Sequence, residues 1–144
     1  TANWFRFLWD ESFAWSGTSV SDLTTEKGLA LGTFKETYSL LTQQKNGNLC
    51  QSEFDGSTWS CPEEIGIKAG KEFALAGLDD KLHLVYANKK GDLLYSAYNG
   101  KSWSKGSKLG EKTHGAITMA AYHDEADGKD KLMLCWQIMS IFVD

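Results

Sequence analysis

Three tryptophans divide this chain into equal steps. Trp15, Trp59 and Trp103 stand 44 residues apart, and each is followed by a serine. A second phrase keeps the same interval: LALGTF (29–34), FALAGL (73–78) and ITMAAY (117–122). A third, YSLL (38–41), LHLVY (82–86) and LMLCW (132–136), keeps it once and then slips by six residues, supplied by HDEADGKDK at 123–131. A fixed period of this size marks a repeat architecture, in which each unit buries its apolar face against the next copy. The 144 residues hold three such units in one domain, approximately 4–47, 48–91 and 92–144.

Within a unit the residues predict strands. The second full copy contains FALAGL, KLHLVYA, DLLYSAY and KSWSKGSKL, separated by turn residues at Asp79-Asp80, Lys89 to Gly91 and Asn99-Gly100. The segments are short and rich in apolar and aromatic residues. Period-two alternation sends Leu82, Leu84 and Tyr86 to one face and His83 and Val85 to the other. No segment sustains a helical period. The expected fold class is all-β: three four-stranded antiparallel repeats. Asp55-Gly56 and Asn99-Gly100 read as two-residue hairpin loops, since both central positions of a type I′ turn need positive φ. The first copy has Glu11-Ser12 there and is degenerate.

The unit running from DGSTWS through FALAGLDDKLHLVYANKKGDLLYSAYNGKSWS resembles the blade repeat of tandem β-propeller lectins, tectonin-like and related fungal and bacterial proteins, which carry an [Asp/Asn]-Gly-x-x-Trp phrase. The resemblance implies a crowded innermost strand near an axis, where Ala30, Gly32, Ala74, Ala76, Ala120 and Ala121 would fit. Three blades cannot close a propeller, whose range is about 4–8. The chain also starts and stops inside a unit, with Trp4 to Trp9 aligning on Asn48 to Glu53. Two arrangements follow: a propeller whose ring is completed by a second chain, or a monomeric β-trefoil with threefold pseudosymmetry. Lectins use both folds.

Catalytic chemistry finds little footing. The sialidase box Ser-x-Asp-x-Gly-x-x-Trp is approached by Ser52 to Trp59, but with the Asp one place late. That family also clamps its substrate with three arginines, whereas Arg6 is the sole arginine here. No Gly-x-Ser-x-Gly elbow and no phosphate-cradling glycine loop occurs. Glu63-Glu64 falls in a predicted surface connection, and glycosidase carboxylates pair in space rather than in sequence. His83, His114 and His123 are scattered without metal-ligand spacing. The 123–131 loop fails as a calcium loop at its first ligand, and Leu134 stands where the bidentate glutamate belongs. No catalytic residue, metal or cofactor is expected.

Binding fits better. A sugar presents an apolar C–H face and a ring of hydroxyls, so a site wants an aromatic ring beside fixed polar groups. Each repeat offers such a pair: Trp15 with Glu11, Trp59 with Asp55, Trp103 with Asn99. The competing reading makes each Trp inter-repeat core and each Asp-Gly or Asn-Gly merely a turn. The expected function is a non-catalytic, lectin-like carbohydrate-binding protein with glycans or glycoproteins as partners. The alternative is a protein-interaction module or accessory subunit keeping a lectin-like fold without sugar activity. A net charge of -4 argues against a nucleic-acid partner, and no apolar run reaches a membrane span of about 20 residues.

The terminal segments depart from the repeat. In WFRFLW (4–9), Phe5, Phe7 and Trp9 share one face and Trp4, Arg6 and Leu8 the other, so both faces are apolar. Ile138, Met139, Ile141, Phe142 and Val143 are equally apolar. Strands of this kind predict a protein contact, either a homo-oligomer or a larger partner. An odd count of cysteines, Cys50, Cys61 and Cys135, favours free thiols, although a two-residue Asp55-Gly56 loop would set Cys50 opposite Cys61. No signal peptide precedes TANWFRF, which favours a cytoplasmic or non-classically secreted protein.

Overall fold

A computed structural model describes the backbone of residues 2–9 and 15–138 and the side chains of residues 24–138. Among the described residues there is no helix, and none therefore long and apolar enough to cross a membrane. Strands β1 (Ala2–Trp9) and β2 (Trp15–Thr25) form a two-stranded antiparallel sheet. Strands β3 (Leu29–Phe34), β4 (Thr37–Gln43), β5 (Asn48–Phe54) and β6 (Glu63–Lys68) form a four-stranded meander in chain order. Strands β7 (Phe73–Leu78), β8 (Lys81–Ala87), β9 (Asp92–Tyr98) and β10 (Ser107–Lys112) repeat it. Strands β11 (Ile117–Asp124) and β12 (Lys129–Trp136) start a third copy.

Each four-stranded unit closes its own sheet, and the sheets pack face to face through their first strands, β3 on β7 and β7 on β11. These are propeller blades. The trefoil alternative is not built, because the four strands of a full unit pair with one another instead of contributing hairpins to a shared barrel. The blades also set the phase of the repeat: they begin at Leu29 and Phe73, so a unit counted from residue 48 straddles two of them.

Alternation positions the core as the sequence predicts. Leu82, Leu84 and Tyr86 join Phe34, Leu41, Leu49, Ile67, Phe73 and Leu75 between the first and second blades. Val85, on the other face of β8, packs with Ala74, Ala87, Leu93 and Ile117 between the second blade and β11. The first strands lie so close that Gly77 is obligatory: a Cβ there would overlap the Thr33 carbonyl oxygen. One at Gly32 would meet Leu75 Cγ at 2.9 Å. Small residues are thus a packing demand at these places on β3 and β7, and Ala74 and Ala76 of β7 are buried, whereas Ala120 and Ala121 of β11 are exposed.

Hydroxyl latches tie successive units. Thr25 Oγ1 donates to the Gly28 carbonyl at 2.7 Å and contacts Gln43 at both its carbonyl and its N–H, each at 3.1 Å. Eighty-eight residues on, two repeat steps, Thr113 Oγ1 lies 2.9 Å from the carbonyls of both Gly115 and Gln137. Gln43 Nε2 adds bonds to the carbonyls of Ala69 and Gly70 on the next inter-blade connection.

Three local readings are corrected. Asp55-Gly56 and Asn99-Gly100 are not two-residue loops. The flanking pairs are Phe54↔Trp59 and Tyr98↔Trp103, leaving four residues in each loop, and only the glycine of each pair has positive φ. Both φ-positive residues of a type I′ turn occur instead at Asp79 and Asp80, between paired Leu78 and Lys81. Consequently Cys50 lies opposite Thr42 and Glu64, not Cys61, and all three thiols are free. Finally, the six extra residues near 123–131 lengthen a hairpin: His123 pairs with Asp130 and Asp124 with Lys129, leaving Glu125 to Gly128 as the loop.

Candidate functional site between two blades

The repeated Trp-Ser phrase leads into the fourth strand of each blade. Trp59 bridges back to Phe54 and Trp103 to Tyr98, just before β6 and β10. The following serine fixes this crossing. Ser60 N donates to the Glu53 carbonyl at 2.8 Å, and Ser60 Oγ accepts from Glu53 N at 2.9 Å. Ser104 does the same with Ala97 at 2.8 and 3.0 Å. The loop before each Trp is held by its polar first residue. Asp55 Oδ1 accepts from the N–H groups of Ser57 and Thr58, and Asn99 Oδ1 from those of Lys101 and Ser102. The N–H of Thr58, then that of Ser57, hold the Asp55 carboxyl below its ordinary range.

The rings have a packed face. Trp59 lies 5.3 Å from Phe54 between centroids, and Trp103 lies 5.3 Å from Tyr98, stacked at 29°. Both tryptophans are half-buried. Trp103 differs in what its edge meets: its indole Nε1 crosses to the neighbouring blade and donates to Gln51 Oε1 at 2.8 Å. Gln51 is buried, and its Nε2 donates to Ser39 Oγ at 2.9 Å and Glu53 Oε1 at 3.2 Å. A chain of side-chain hydrogen bonds thus links the two blades.

A cleft of about 500 Å³ opens at this junction. The first blade contributes Gln51, Glu53, Ser60, Glu63, Glu64 and Ile65; the second contributes Tyr98, Lys101, Ser102 and Trp103. Burial first, and then the charges of Glu53 and Glu63, push the Tyr98 phenol above its ordinary value. An aromatic pair therefore shares the lining of one cleft with three carboxylates and with the carboxamide that Trp103 bonds. A larger hollow of about 600 Å³ lies among the inter-blade connections around Lys27, Lys71 and Asn88, but no Trp, Tyr or Phe lines it.

Of the residues singled out from sequence, Trp103 lies in the cleft, whereas Asn99 serves the adjoining turn. Asp55 likewise serves its own turn, and Trp59 packs on Phe54. Trp15 pairs with Trp9 in the first hairpin, its side chain outside the described residues, as is the whole of Glu11. The polar half of the cleft was not anticipated, because Gln51 and Trp103 are 52 residues apart and belong to different repeats. One signal was present: Gln51 and Glu53 break the repeat, with Tyr95 and Ala97 at the matching places. No histidine, cysteine and carboxylate group able to hold a metal occurs among the described residues.

No protein-family model matches the chain, and no curated protein matches it in sequence. Solved structures do match in fold. AofleA from Arthrobotrys oligospora superimposes with a TM-score of 0.65 at 10% identity, over 90% of this chain and 42% of that one. The Aleuria aurantia lectin AAL, as an N224Q mutant in complex with Fucα1-6GlcNAc, gives 0.69 at 14% identity, over 92% of this chain and 46% of that one. A fucose lectin from Kordia zhangzhouensis, in complex with methyl-fucoside, gives 0.54 at 15% identity, over 74% and 82%. The chain spans less than half the length of AofleA and AAL. At these identities the likeness establishes the fold, that of propeller lectins.

Proposed function

We propose that this chain is a non-catalytic carbohydrate-binding protein, and that its site is the cleft between the first and second blades. The observation that carries the reading is the meeting of Trp103 with Gln51, Glu53, Glu63 and Glu64 across a blade junction. The exposed part of the indole offers a surface for a C–H face, while the carboxylates accept from vicinal hydroxyls and Lys101 donates. Three carboxylates against one lysine favour neutral sugars over sialylated or sulfated ones. The fold shared with proteins solved in complex with fucosides makes fucosides the first ligands to try. The three glutamates are open to solvent.

The test is a glycan array with the wild-type chain and with Glu53→Gln and Trp103→Phe, alongside chromogenic glycosides. Retention of neutral, fucose-bearing glycans that weakens at least tenfold in both variants supports the proposal. A silent array from folded protein returns the chain to the interaction-module class, and glycoside turnover makes it an enzyme.

A further inference from the structure

The larger hollow, among the inter-blade connections, stands apart from the Trp103 cleft in both place and charge. In an antiparallel meander the start of the first strand, the turn between the second and third, and the end of the fourth lie at one end of the sheet. The Trp loops lie at the other. The hollow belongs to the first end and draws on both complete blades and on the connections that leave them. Part of its lining is backbone held by backbone. Ala69 N donates to the Gly47 carbonyl at 3.0 Å, and 44 residues on Thr113 N donates to the Gly91 carbonyl at 2.9 Å. Gly70 N donates to the Ala87 carbonyl at 2.6 Å. Glycine and alanine bring no side chain long enough to fill the space, so the concavity is built into the fold.

Its charge is one-sided. Lys27, Lys71, Lys89 and Lys90 line it, all exposed, against the single carboxylate of Glu72. A smaller hollow of about 370 Å³ shares Lys89 and Lys90 with it and adds Lys68, Lys108 and Asp92. Asp92 already engages Lys108 at 3.4 Å and Lys112 at 3.6 Å. Among the described residues, Lys27, Lys68, Lys71, Lys89 and Lys90 form no ion pair. A chain of formal charge -4 thus gathers five unpaired cations at one end. The gathering follows the repeat. Lysine recurs at the 44-residue step three times, at 27 and 71, at 45 and 89, and at 68 and 112. These places are the approach to the first strand, the turn between the second and third, and the close of the fourth. At the opposite end the step turns Lys35 into Asp79 and Glu36 into Asp80.

We propose that this basic end is a second binding site, and that its ligand is a linear sulfated polysaccharide. Exposed lysines are screened singly, but several of one sign around a concavity sum to a field that attracts an anion. Charge repeated from blade to blade suits a chain that repeats its own anions. A sulfate ester turns three oxygens outward, which spread ammonium groups of three donors each can meet. A carboxylate is best met by the guanidinium fork, and no arginine lines the hollow. Nucleic-acid bases would want aromatic faces, and a bilayer would want apolar side chains to receive. The apolar side chains of the lining are those of Ala69 and Ala87 alone.

Isothermal titration with dextran sulfate, and with uncharged dextran beside it, reads the site. The proposal expects saturable binding of dextran sulfate that weakens as salt rises, and none of dextran. Lys71→Gln/Lys89→Gln should weaken it by about tenfold or more, since each lost ammonium removes a charge-assisted contact. Lys35→Gln/Lys81→Gln removes the same charge from the opposite end and should leave the affinity within about twofold. All four lysines are exposed, and thermal melts establish that both variants are folded. Excess methyl fucoside should displace nothing, which separates this site from the Trp103 cleft. Folded wild-type protein that ignores dextran sulfate overturns the proposal, as do equal losses in the two double variants or displacement by methyl fucoside. Tighter binding to duplex DNA or to phosphatidylserine vesicles than to dextran sulfate overturns it as well.

Discussion

Trp103→Phe isolates the bond that joins the two blades. The substitution keeps an aromatic ring on Tyr98, so the stacked contact at 5.3 Å survives in large part. It deletes the indole N–H that Gln51 Oε1 receives at 2.8 Å. Gln51 is 8% exposed, and its amide nitrogen already serves Ser39 and Glu53. The amide oxygen is then left without that donor at a blade junction, which costs about 1–3 kcal/mol, more than the bond contributes on balance. For a domain of this size that lowers Tm by very roughly 3–10 °C. Urea denaturation at fixed protein concentration is the assay, because assembly would make apparent stability concentration-dependent. Gln51→Leu alone also loses its bonds to Ser39 and Glu53. In Trp103→Phe/Gln51→Leu, however, the stranded oxygen is gone, so the second substitution should cost less than it does alone by about 0.5–3 kcal/mol. A Trp103→Phe midpoint indistinguishable from wild type, or strictly additive losses, would refute the reasoning.

Three further outcomes follow from the same contacts. Gly77→Ala should abolish soluble expression or cost several kcal/mol by thermal melt, since its Cβ would overlap the Thr33 carbonyl. Gly66→Ala should cost only about 1–2 kcal/mol, because its φ of 73° is strained for alanine but the space is open; equal losses would contradict the axial-crowding account. Asp55 has a carboxyl lowered by the Thr58 and Ser57 N–H groups, so its stabilising effect is present above the ordinary carboxylate range and fades as pH falls through the depressed value. Melting curves from pH 6 to 2 should show a shallower acid decline in Asp55→Asn, whose amide oxygen still accepts, as Asn99 does; parallel declines would exclude this role. Thr113→Val should lower stability by about 1 kcal/mol in denaturant titration by removing the hydroxyl shared with Gly115 and Gln137.

The blades were legible because their determinants are local and repeated. The strands 73–78, 81–87 and 92–98 coincide with the segments read from apolar spacing, and Leu82, Leu84 and Tyr86 face away from Val85 as alternation requires. The turns were misjudged where two chemistries compete for the same residues. Asp-Gly and Asn-Gly can make a type I′ pair, but here Asp55 and Asn99 accept two backbone N–H groups each and hold a four-residue loop. That extra length shifts Cys61 out of register with Cys50. The fourth strand begins later than its apolar spacing suggested, at Ser107, because the Trp103 bridge intervenes. The cleft was half legible: a repeated Trp can be seen in a sequence, whereas its cross-blade partners become visible only once the sheets are side by side.

The central claim is that a sugar sits in the cleft that Trp103 lines together with Gln51, Glu53, Glu63 and Glu64. Two-dimensional ¹H–¹⁵N NMR resolves each of the six indole N–H groups, and a titration with methyl fucoside followed by other neutral monosaccharides reads them directly. The account predicts a saturable shift centred on the Trp103 indole, weakened by Glu53→Gln, with the other indoles moving less. A Trp103 signal that stays still across the whole panel, or saturable shifts confined to other tryptophans, would contradict it.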